Sequence, residues 1–187
     1  MTSRSSILST ADVRRPLVAA AAIEEFAAGG FHGTTVADVA GRARISPAYV
    51  FKLFPKKEAL FVAALAACYD QILRALAEGA DNASEQSPEA VLDAMGAAYA
   101  ELIGDRTLLM LQVHAQSATD VPDIAQAVRE GLARITTFTQ ERSGAGDEDV
   151  QRFIAYGQLC HLIVTARIED QAEHWAHVLA QGIRHTR

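Results

Sequence analysis

Residues 46–54 read Ser-Pro-Ala-Tyr-Val-Phe-Lys-Leu-Phe, and their spacing suits contact with a base-pair groove. Ser46 can cap a helix and Pro47 can open it, because the first turn has no use for proline's missing N–H. On that helix Val50, Leu53 and Phe54 share one face and should be core. Ala48, Tyr49 and Lys52 share the opposite face. A small residue, an aromatic hydroxyl and a cation are useful to a helix that enters a major groove. A plain solvated helix face has the same pattern, and spacing alone does not separate the two.

Other chemistry is poorly represented. The chain has no HExxH, no GxGxxG and no GxSxG. His174 and His177 are i, i+3 neighbours beside Glu173 and Asp170, a cluster read as solvated charges rather than a metal site. Cys160 and His161 are adjacent, so on a helix they point in different directions and form no catalytic pair. Cys68 and Cys160 stand alone in apolar stretches and read as buried thiols. No metal, cofactor or catalytic set is expected, and the chain reads as a non-enzyme.

The elements around residues 46–54 are helical. A polar, serine-rich stretch over 1–12 reads as a disordered arm. A helix follows from Pro16, with Val18, Ala22, Ile23 and Phe26 on one face, and Gly29–Gly30 stops it. Thr35 and Asp38 have the spacing of a capping box, and Val36, Val39, Ala40 and Ala43 continue as an apolar stripe. Pro55 ends the third helix. Three short helices with a tight turn between the second and third make a helix-turn-helix. Beyond Lys57 the pattern predicts helices over 57–79, 88–103, 105–118, 121–142, 147–168 and 170–184, with no strand pattern and no internal repeat. The fold class is therefore all-α: a helix-turn-helix domain over 13–60 and a helical body over 61–187.

Charge divides along the same boundary. The chain's net charge is −6, yet residues 1–60 carry eight Lys/Arg against five Asp/Glu. The remainder carries nine against eighteen. A basic head on an acidic body suits a small DNA reader joined to a domain with other work. No apolar leader precedes Asp12, and the stretch Leu17–Ile23 is too short for a membrane span. A cytoplasmic protein without a membrane partner is expected.

The run Val18–Leu60, VAAAAIEEFAAGGFHGTTVADVAGRARISPAYVFKLFPKKEAL, closely resembles the DNA-binding domain of the TetR family of repressors. The shared positions are Phe26, Gly30–Phe31, Thr34–Thr35–Val36, Val39–Ala40, Ala43, Ile45–Ser46, Phe54, Lys57, Glu58 and Leu60. They span about a quarter of the chain. The resemblance implies that Thr35 meets a phosphate and that Pro47, Ala48, Tyr49 and Lys52 face the groove, beside the cap Ser46. It also implies that Lys57 meets a phosphate with its ammonium and nearby backbone N–H groups. Three positions depart from the family. Arg44 stands in the turn where glycine is usual: a left-handed backbone there would strain it, and an added cation beside the DNA would offset that cost. Phe51 replaces the usual tyrosine and Leu53 the usual histidine, two side chains that typically reach phosphates.

The resemblance further implies a ligand cavity in the body. The most apolar stretch, 106–118, holds Gln112, His114 and Gln116, and a buried polar group needs a partner that a ligand can supply. Met95, Tyr99 and Leu102 are spaced to line the same space, with Met110 and His114 beside them and Phe138, Phe153 and Tyr156 closing it. Plain core gives the same stripe of Met and aromatics. Two further stripes suit the helix pairing by which this family dimerises: Phe153, Gly157, His161 and Val164, then Trp175, Val178, Leu179 and Gly182. Both could also pack inside the monomer. The expected function is a homodimeric regulator of double-stranded operator DNA, a repressor released by a small, mostly hydrophobic effector. A helical small-molecule-binding module, or a regulator without a ligand, is the alternative.

Overall fold

A computed structural model describes residues 10–181, which form helices and no strand. In chain order these are α1 (Thr10–Gly33), α2 (Val36–Arg42), α3 (Pro47–Leu53), α4 (Lys57–Asp81), α5 (Pro88–Leu102), α6 (Thr107–Ser117), α7 (Pro122–Ser143), α8 (Asp147–Thr165), a 3-10 turn (Ile168–Asp170) and α9 (His174–Ala180).

The first helix begins earlier than its sequence suggests. Pro16 lies inside α1 rather than at its start, and Thr10–Asp12, expected in the arm, are already helical. A proline in mid-helix removes one backbone bond. The turn that leads into it keeps other anchors: Ala11 packs on the core, and the Arg15 guanidinium lies 5.2 Å from the Phe54 ring centroid. Residues 1–9 of the expected arm, and Gly182 of the expected dimer stripe, lie outside the described residues.

The other end of α1 explains the glycine pair. Gly30 has φ 68 and ψ 179, a backbone open in practice to glycine alone, and there the helix breaks. The kink lets Thr34 turn back so that its hydroxyl donates to the Glu25 carbonyl at 3.0 Å. On the inner face of α1, Val18, Ala22, Ile23 and Phe26 are all buried, as their period requires.

α4 is the spine of the molecule. It has the length and hydropathy of a membrane span, but its apolar residues serve the core instead. Leu60, Phe61, Leu65, Ile72 and Leu76 are sealed against α1, α5 and α7. Phe26 and Phe31 each meet Phe61 edge-on, at 4.8 and 5.4 Å between centroids, which seats the N-terminal domain on the spine. On α7, a Cβ at Gly131 would fall 2.0 Å from the Tyr69 ring, so glycine permits this close approach to α4.

The body otherwise follows its predicted spans, except at the end. Arg167 takes φ 50 and terminates α8, so the stretch expected as one helix from 170 becomes the 3-10 turn and the short α9.

Candidate DNA interface and ligand cavity

The helix-turn-helix is set by local chemistry. Thr35 caps α2: its hydroxyl accepts from the Asp38 N–H at 3.2 Å, and its own N–H donates to Asp38 Oδ2 at 2.7 Å. The Thr35 hydroxyl, and then its backbone N–H, hold the Asp38 carboxyl below its usual range. Arg42 bonds both Glu24 and Glu25, which ties α2 to α1. The turn runs through Arg44, exposed at φ 54, the left-handed backbone its sequence position called for. Such a conformation costs a non-glycine residue about 1 kcal/mol. Ser46 then caps α3 by accepting from the Tyr49 N–H at 3.2 Å.

α3 presents the face its period implied, with one change. Val50, Leu53 and Phe54 are buried. Pro47, Ala48 and Lys52 are exposed. Tyr49 sits at the edge of that face, half-buried against the core, whereas Phe51 at the other edge is 48% exposed. The reason is angular: at 100° per residue Ala48 and Lys52 lie near the centre of the outward arc, and Tyr49 and Phe51 flank it. Phe51, noted in the sequence only as a replacement of the family's tyrosine, is a member of the exposed face. Leu53 faces the core and can reach no phosphate.

The Lys57 ammonium is already engaged: it donates to the Thr34 carbonyl at 2.9 Å and lies 4.6 Å from the Phe31 ring centroid. The N-terminus of α4 behind it carries no side-chain cap, and Lys56 at that position is exposed. Its free N–H groups are therefore open to an anion.

In the body, a cavity of about 810 Å³ lies among α4, α5, α6, α7 and α8. Ile72, Leu76, Leu92, Leu132 and Ile135 supply apolar walls. Three expected residues do line it: Tyr99, Phe153 and Tyr156. Five do not. Met95 is sealed in the main core, Phe138 packs on that core, and Met110 sits against Ile103, Leu109 and Cys160. Leu102 lines a small cleft against Ala20 and Ile23, and His114 closes on the Gly30 kink. The cause is helix rotation. The face of α5 that meets the cavity is Glu89, Leu92, Asp93, Gly96 and Tyr99, one step round from Met95 and Leu102. Extending that period from Tyr99 towards the N-terminus would have found Glu89 and Asp93.

The expected dimer stripe on α8 turns inward as well. His161 is buried, with Nε2 2.8 Å from the Tyr99 hydroxyl, and Gly157 lines the cavity. Val164 packs on Ile103, Leu109 and Cys160. Periodicity marks an apolar face without saying which neighbour covers it. The outward apolar residues of α8 are instead Ala155, Tyr156 and Leu162, and Trp175 and Val178 are exposed on α9. Leu179 is half-buried against the small core of Ile163, Ile168 and Ala176.

Burial keeps the floor of the cavity uncharged. It pushes the Tyr99 hydroxyl well up, the Cys160 thiol up to about 11 and the His161 imidazole down to about 4. The unfolded chain takes up the His161 proton near the ordinary 6.5 and the folded chain only near 4. Stability should therefore fall as pH drops through that window, because the unfolded state binds the proton first. Urea titrations at pH 7 and pH 4.5 should give a lower midpoint at pH 4.5. In His161→Gln, which still offers Tyr99 a polar partner, that drop should shrink; an equal drop would place the acid sensitivity elsewhere.

Residues 18–64 match the family described as bacterial regulatory proteins, tetR family. No curated protein matches the chain in sequence. Solved structures share its fold. A TetR-like transcriptional regulator from Rhodococcus sp. RHA1 is 22% identical, with 92% of this chain and 93% of that one aligned at TM-score 0.64. A second transcriptional regulator from Rhodococcus sp. RHA1 is 23% identical over 88% and 91% of the two chains, at TM-score 0.69. The regulator FadR from Bacillus subtilis, solved with stearoyl-CoA, is 17% identical over 90% and 99%, at TM-score 0.65. Residues 18–64 thus carry a tetR-family domain that contains the helix-turn-helix, on an all-helical fold shared with solved regulators.

Proposed function

We propose that the chain is a repressor: a homodimer that holds a palindromic operator through α3 and releases it when a small, mostly hydrophobic molecule fills the cavity. The observation that carries DNA reading is the outward face of α3, where Ala48, Phe51 and Lys52 are exposed beside the uncapped start of α4. One helix of seven residues has a small footprint. Two copies about one helical turn apart supply the missing specificity. The exposed Tyr156 and Leu162 on α8, with Trp175 and Val178 on α9, are the apolar residues that would pair them. Such a protein works on DNA in the cytoplasm.

The effector half rests on the cavity and on its route to the DNA domain. FadR, a neighbour in fold, was solved with a bound acyl-CoA. Here α6 carries Gln112 on the cavity and, half a turn on, His114 against the Gly30 kink. A ligand that repositions α6 would act on the end of α1. It can shift the equilibrium only by its differential affinity for the two poses, and a tenfold loss of operator affinity needs about 1.4 kcal/mol.

Phe51 and Leu53 remove two phosphate-reaching side chains, and this favours the alternative of a binding module without DNA. Salt dependence distinguishes the readings. A DNA reader loses affinity steeply as salt rises, through counterion release. Lys57→Ala should weaken binding to all sequences alike and flatten the log–log salt slope by about one unit. An unchanged slope would leave the phosphate to Lys56 and the α4 N–H groups alone.

A further inference from the structure

The polar groups around the cavity say what kind of molecule suits it. Gln112 is 6% exposed and lines the cavity floor. Its Nε2 donates to the Leu108 carbonyl at 3.2 Å and to the Tyr99 hydroxyl at 3.4 Å. The contact with a carbonyl fixes which end of the amide is nitrogen. Gln112 Oε1 is therefore the free end: it has no hydrogen-bond partner among the described residues, on a side chain that lines the cavity. It is an acceptor in want of a donor. The Tyr99 hydroxyl cannot serve, because it meets His161 Nε2 at 2.8 Å and already receives the Gln112 N–H.

The mouth points the same way. Glu89 and Asp93 on α5 and Asp149 on α8 all line the cavity and are exposed, which puts them towards its solvent side. Arg152 is the one cation lining the cavity among the described residues. It is spent on its own helix, donating to Glu148 at 3.0 Å and Asp149 at 3.1 Å. An anionic ligand would have to compete with Glu148 and Asp149 for Arg152 and would meet the unpaired Glu89 and Asp93 besides, and burying an unpaired carboxylate is strongly unfavourable. A cation would meet surplus carboxylates at the mouth, and an N–H would satisfy Gln112.

We infer that the cavity takes an amphipathic amine, an apolar body bearing a protonated or hydrogen-bond-donating nitrogen, and discriminates against carboxylates. This rests on the cavity being the effector site.

Calorimetry of the full-length protein with decylamine, decanol and decanoate, each below its micellar concentration, tests the class with chain length held constant. Decylamine should bind at least tenfold tighter than decanoate, with decanol between them. Asp93→Asn should weaken decylamine several-fold and leave decanol unchanged. Raising salt from 50 to 500 mM should do the same, since the mouth charges are exposed and screened. Decanoate binding as well as decylamine would overturn the inference while leaving an effector site in place. No binding by any of the three, in protein folded by circular dichroism, would overturn both. Decylamine that binds selectively yet leaves operator affinity unchanged would support the ligand class and remove the effector role.

Discussion

Ala48→Glu should lower operator affinity by at least 100-fold without changing the melting temperature or ligand binding in the cavity. Ala48 lies near the centre of the exposed arc of α3, away from the buried Val50, Leu53 and Phe54 around the helix. The protein fold therefore has little at stake there, and a surface change away from such features stays within about 0.5 kcal/mol. In the groove the same carboxylate would face the phosphate field with no partner. Like-charge contacts at an interface cost several kcal/mol, which is the scale of a 100-fold loss. Fluorescence anisotropy with a labelled operator gives the loss, and a thermal melt gives the control. An affinity within fivefold of the parent would mean that α3 does not enter the groove by this face.

The largest effect on stability is expected from Phe26→Ala. Phe26 has no exposed surface and meets Phe61 edge-on at 4.8 Å. Truncating a sealed phenylalanine costs about 3–5 kcal/mol, because the cavity left behind closes only partly. For a chain of this size that corresponds to a fall of about 10 °C in Tm. Operator binding should fail in step, since Phe26 and Phe31 together seat the helix-turn-helix on α4. Differential scanning fluorimetry measures the shift. A fall of less than 3 °C would mean that the N-terminal domain is held to the spine by other contacts.

The helices were legible because their signals are local. Ser46–Pro47 and Ser87–Pro88 begin α3 and α5 where a cap followed by proline should, and Thr35 with Asp38 forms the capping box its spacing implied. Arg44 was legible as a left-handed turn residue because the family pattern has glycine there, and its φ is 54. Rotation about a helix axis was not legible. Met95 and Tyr99 are one turn apart on α5, yet the first is core and the second is cavity wall. The same ambiguity put His161 on an expected dimer face, when its ring is bonded to Tyr99 inside the monomer. Gln112 drew notice as a polar residue in an apolar helix, but its free acceptor depends on where the Leu108 carbonyl and Tyr99 lie. Pro16 misled because a proline is a start signal only when nothing helical precedes it, and Ala11 and Arg15 anchor a turn ahead of it.

Operator recognition is the central claim, and a genomic binding selection tests it most directly. Fragments of the source genome are incubated with purified, folded, dimeric protein, and the retained fragments are sequenced. The account predicts enrichment of a short palindrome near a few promoters, with half-sites about one helical turn apart. A folded dimer that enriches no sequence would contradict it.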